Sequence, residues 1–78
     1  MKIVKVKWMD AEKLSGVQDI SYVKEIELKE IETIGFLILD DDKKIIISQE
    51  RWDEGKQIRD VSIIPKCSIK KIKELKEI

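Results

Sequence analysis

Nucleophilic catalysis has little to work with in this chain. It contains no His and a single cysteine, Cys67. A thiol or hydroxyl nucleophile needs a neighbouring base, and here only a lysine such as Lys66 is at hand. A lone Cys beside a proline turn reads instead as a small core residue. Asp40, Asp41 and Asp42 stand together, and carboxylate oxygens suit Ca²⁺ or Mg²⁺. A cation site, however, takes ligands at staggered spacing, and no EF-hand loop closes on a Glu here. The triplet therefore reads as a solvated turn. Proton transfer by paired acids requires both to face a cleft. Asp60 alternates onto the face of Ile58 and Ser62 and is partly buried or bonded to turn amides, the second being the simpler reading. No catalytic residue, metal ligand or cofactor site is assigned.

Recognition chemistry has more material. Trp8 continues the face of Val4 and Val6 and is expected in the core. Trp52 lies in the polar run ERWDEGK between Arg51 and Asp53. An aromatic beside an arginine is the composition of an interface anchor; a ring folded back to plug the end of the fold fits equally. Lys66, Lys70, Lys71, Lys73 and Lys76 gather toward the C-terminus. With Tyr22 or Trp52 alongside, they would track phosphates. Glu74 and Glu77 interrupt them, and an edge strand guarded by lysines has the same composition. The candidate interaction surface is thus Arg51, Trp52 and Asp53 together with Lys70, Lys71 and Lys73.

These residues must be positioned by one small domain. The chain has 78 residues, 42% hydrophobic and 41% charged, with 16 basic and 16 acidic side chains and no net charge. The apolar share is that of a folded protein. Zero net charge argues against a nucleic-acid binder, which draws most of its affinity from neutralised phosphates. One cysteine allows no internal disulfide, which fits a reducing cytoplasm. The opening MKIVKVKWMD lacks the apolar stretch of a signal peptide, and no segment nears the roughly 20 apolar residues of a membrane span. A Lys/Glu-rich surface without Asn fits a heat-adapted host; an AT-rich genome fits as well.

The hydrophobic pattern predicts strands over 2–9, 31–39, 44–49 and 58–64. Residues 10–19 read as a polar loop, after which Asp19 caps one or two helical turns. Ile34, Phe36 and Ile38 face one way and Leu37 and Leu39 the other, so the second strand is central, with Gly35 supplying a bend. Residues 40–43 form the turn of a hairpin, and 50–57 a polar loop in which Gly55 takes a positive φ. Pro65 ends the fourth strand. In the tail, Ile69, Ile72, Leu75 and Ile78 recur every three residues behind Ser68. That spacing slightly favours a C-terminal helix over the competing reading, a 3₁₀ turn over 65–68 and a closing strand over 70–75.

The run DVSIIPKCSIKKIKEL resembles the end of SH3-like and Sm-like small β-barrels, where a 3₁₀ turn joins strands four and five. The chain as a whole resembles small uncharacterised proteins of bacteria and their phages. That likeness is carried by Val4 to Asp10, by Glu32, Thr33, Gly35 and Leu37, and by Asp60 to Leu75. It implies a mainly β fold, a strongly bent five-stranded barrel with a short helical turn before strand two; the alternative is α+β with a C-terminal helix. It implies no activity, because such barrels host unrelated functions. The Asn-containing and Arg-Gly loops of RNA-binding Sm proteins are missing. The expectation is a non-enzymatic module that binds a protein partner or itself through loop 50–57 and an exposed edge strand. An Sm-like nucleic-acid binder is the alternative.

Overall fold

Alternating β-branched residues give five strands, and a capped turn gives one short helix. The computed structural model describes residues 1–75. In chain order the elements are β1 (Ile3–Met9), α1 (Ile20–Lys24), β2 (Glu30–Asp40), β3 (Lys44–Trp52), β4 (Gln57–Pro65) and β5 (Ile69–Leu75). Short 3₁₀ segments, Asp53–Gly55 and Lys66–Ser68, precede β4 and β5. Asp19 caps α1 as expected, its carboxylate accepting from the Ser21 amide at 2.9 Å.

All strand pairs are antiparallel, in the order β4-β3-β2-β1-β5. The second strand is indeed central. Residues 30–36 of β2 pair with β1, whereas residues 36–40 pair with β3. Gly35 sits where one pairing gives way to the other, and Ile38 is the extra residue of a bulge. Lacking a side chain, Gly35 lets the two backbones cross closely. A Cβ there would overlap the Ser48 carbonyl oxygen and lie 2.5 Å from Ile47 Cγ2.

The β2–β3 turn is fixed by Asp41, whose Oδ1 accepts from the amides of Lys43 and Lys44, each at 2.8 Å. Those bonds, the Lys44 amide first, hold its carboxyl below the usual carboxylate range. Of the acidic triplet, Asp41 and Asp42 lie in the turn, which begins one residue later than expected, while Asp40 ends β2 opposite Ile45 and is paired to Lys66. Among the described residues no group of three His, Cys, Asp or Glu is gathered to hold a metal ion.

The core is small. Val4, Val6, Ile45, Ile47 and Ile64 are buried, with Trp8, Leu37 and Ile69 packed against them. The Trp8 indole is satisfied by donating to Thr33 Oγ1 at 3.0 Å, as a half-buried indole requires.

The expected closed barrel does not form. β4 and β5 are the two edges, and no ladder joins them among the described residues. Pro65 lies opposite Lys44 and Ile69 opposite Trp8. Four residues reach at most about 14 Å, while the edges of a flat five-stranded sheet stand about 19 Å apart. Because Lys44 adjoins the C-terminal end of β2 and Trp8 pairs with Ile31 near its N-terminal end, so short a link requires a strongly curled sheet. The sheet is nonetheless open, and β3 and β4 run on past β2 as a two-stranded ribbon, out to Trp52 opposite Gln57. Asp60, at φ 58°, interrupts β4 within that ribbon.

The tail is a strand. β5 pairs with β1 from Ile69 opposite Trp8 to Leu75 opposite Ile3, which overturns the C-terminal helix over those residues. A helix there would leave the outer edge of β1 without its ladder, a loss that a three-residue apolar spacing does not offset. Ile78 and Lys76 lie outside the described residues.

Candidate interaction surfaces

The polar loop expected over 50–57 is shorter, because both strands extend into it. Arg51 and Trp52 belong to β3, and only residues 53–56 connect it to β4. Asp53, Glu54 and Gly55 lie consecutively in the left-handed region, at φ 53°, 55° and 84°. The turn is closed by the Lys56 amide donating to the Asp53 carbonyl at 3.0 Å. Gly55 takes the positive φ expected of it. Two non-glycine residues share that conformation, each at about 1 kcal/mol of strain.

At this tip Trp52 is 48% exposed, so it does not plug the fold. Its ring lies under the Arg59 guanidinium, 5.5 Å from the centroid. Arg59 is anchored in turn by Glu50, directly across the ladder, and that carboxylate raises its already high pKa further. Arg51 stacks on Phe36 at 4.4 Å. The tip thus presents an aromatic ring with two oriented arginines, a combination found at interface anchors.

Of the lysines expected to cluster, Lys71 and Lys73 do so, with partners that sequence reasoning did not join to them, while Lys66 pairs with Asp40. Lys73 lies directly opposite Lys5 and Lys71 opposite Lys7. Residues opposed in a ladder share a face, and these four line one shallow groove on β1 and β5. Lys5 and Lys7 read as the outward residues of a strand; only the β1–β5 register places them beside the tail. Glu32 on β2 neutralises part of the cluster, reaching Lys5 at 3.4 Å and Lys7 at 3.6 Å. Two directly opposed like-charge pairs are unfavourable in a sheet. Lys70 is not among them, being the extra residue where the β1–β5 register shifts. β5 is an edge strand, as its lysines allowed.

Two other residues are differently placed from expectation. Cys67 is exposed in the turn before β5 and takes no part in the core. Asp60 is exposed as well, and its left-handed backbone turns it out of the regular alternation.

The connection 10–29 carried a signal that its polarity concealed. The Asp10 amide bonds the Lys29 carbonyl at 3.0 Å, closing its base. Beyond that point Leu14, Val17, Ile20, Tyr22, Val23 and Leu28 are all exposed, and α1 buries no residue. No described helix is long and apolar enough to cross a membrane.

No family model, no curated protein and no solved structure matches this chain.

Proposed function

We propose that the protein is a non-enzymatic interaction module whose exposed surfaces are covered by a protein partner or by another copy of itself. The observation that carries this reading is the excess of surface. The chain exposes 6386 Å², against about 4,900 Å² for a folded monomer of 9.2 kDa. Its radius of gyration is 15.8 Å, where a compact chain of 78 residues has about 11.5 Å. The surplus of about 1,500 Å² exceeds the roughly 800 Å² that each partner buries in a standard interface. The exposed side chains include the large hydrophobics Val17, Ile20, Ile63 and Trp52.

The SH3-like or Sm-like assignment belongs to the same proposal. Its supports are the bend of β2 at Gly35 and the 3₁₀ turn leading into β5. The four-lysine groove favours a second reading, an Sm-like nucleic-acid binder. Glu32 in the midst of those lysines and the zero net charge weigh against it.

The hairpin tip gives a direct test. A photo-crosslinking residue at Glu54, used in the cells that make the protein, should yield a discrete heavier product. Trp52→Ala should remove that product and leave the melting temperature within about 3 °C, because exposed side chains contribute little to stability. A large fall in melting temperature would show that Trp52 supports the fold, and an absent product would refute the tip as an interface.

A further inference from the structure

The charge of the molecule is zero in total but is divided between two surfaces. Connection 10–29 carries five carboxylates (Asp10, Glu12, Asp19, Glu25, Glu27) against three lysines. The outer face of β1 and β5 carries Lys5, Lys7, Lys71 and Lys73, bordered on β2 by the carboxylates of Glu32 and Glu30. Each surface also holds unpartnered apolar area. On the connection these are the six residues from Leu14 to Leu28 named above; on the face, Ile34 lies in register with Lys5 and Lys73 and is exposed. Lysine stems add apolar surface of their own between the charged heads.

We infer that two copies of this chain pair about a two-fold axis, the 10–29 connection of each lying on the four-lysine face of the other. The inference rests on the interaction-module reading and names its partner as a second copy. Charge complementarity selects the occupant: the acidic connection fits the basic face of an identical chain, and zero net charge removes the long-range repulsion between copies. The surplus of about 1,500 Å² per chain is more than the roughly 800 Å² that each partner buries in a standard interface, so a dimer contact can be drawn from part of it. The opposed lysine pairs then have a purpose. They are unfavourable in the isolated chain and are relieved when the carboxylates of the other copy lie over them.

The test is sedimentation velocity on the intact chain, with reversed charges on each surface. Wild type should sediment as a dimer of the 9.2 kDa chain at about 50 mM salt and dissociate toward 500 mM, as screening shortens the reach of the charges. Lys71→Glu with Lys73→Glu should weaken dimerisation about tenfold or more, since like charges would then meet across the contact. This variant keeps its fold: each new glutamate stands opposite a lysine of β1, so its melting temperature should hold or rise. Glu25→Lys with Glu27→Lys should weaken dimerisation equally, and mixing the two variants should restore a heterodimer. A wild-type chain that stays monomeric at low salt overturns the inference while leaving a different protein as partner. A monomer that instead binds single-stranded oligonucleotide through Lys71 and Lys73, with steep salt dependence, overturns it in favour of nucleic acid. A dimer indifferent to both reversals overturns it as well.

Discussion

Gly35→Ala should destabilise the protein by about 3 kcal/mol, although it adds a single methyl group. The new Cβ would overlap the Ser48 carbonyl oxygen and press on Ile47 Cγ2. Both obstacles are rigid, one being backbone and the other a buried β-branched side chain. Relief requires β2 to move off β3 at the point where β2 changes partners. The small total stability magnifies the effect. A chain of this size holds about 4–12 kcal/mol, so the melting temperature should fall by about 10–25 °C. Gly16→Ala is the control: nothing lies within 4 Å of its Cβ position, and only its φ of 84° is strained. That change should cost about 1 kcal/mol. A loss at Gly35 no larger than that at Gly16, read by thermal unfolding, would contradict the close approach, because Gly35 has no positive φ for an alanine to strain.

The second large effect is expected at Ile45. This side chain is fully buried, opposite Ile64 on β4 and Asp40 on β2. Ile45→Ala should lower the unfolding free energy by about 2–5 kcal/mol, combining lost transfer energy with the cavity left behind. With five buried apolar residues in the core, little surrounding structure remains to collapse into that gap. Much of the variant should be unfolded without denaturant if wild type lies near the low end of its range. Ile63→Ala supplies the contrast, because Ile63 is 65% exposed on the neighbouring strand. Urea titration should show a change within about 0.5 kcal/mol there. Matching losses at both sites would mean that Ile63 is covered in solution, and would identify the outer face of β4 as part of an interface.

What could be read from the sequence follows from the range of the forces involved. Period-two alternation is local, so β1, the β2–β3 hairpin and its Asp41 turn are legible in the residues themselves. The cap at Asp19 is equally local. Register between distant strands is not local. Nothing in VKVKW or SIKKIKEL announces that Lys5 meets Lys73 and Lys7 meets Lys71, so the groove could not be foreseen. Nor could the open sheet. Closure depends on pairing between β4 and β5, strands whose contact no local pattern specifies. The every-third spacing in the tail misled for a related reason. Ile69 packs on the core while Ile72 and the lysines serve an edge strand, a pattern that imitates one face of a helix. At the tip, Trp52 and Arg51 were legible as candidates, but Arg59, Glu50 and Phe36 joined them only through pairing and stacking.

The most direct test of the central claim is the native mass of the untagged protein in an extract of the cells that produce it, followed by immunodetection across a size-exclusion column. Covered surfaces predict elution well above the mass of one 9.2 kDa chain. If the purified chain alone gives twice that mass, a second copy suffices; a larger mass in extract alone points to a different protein partner. Elution as a single chain in the extract, at every concentration and at low salt, would contradict the account.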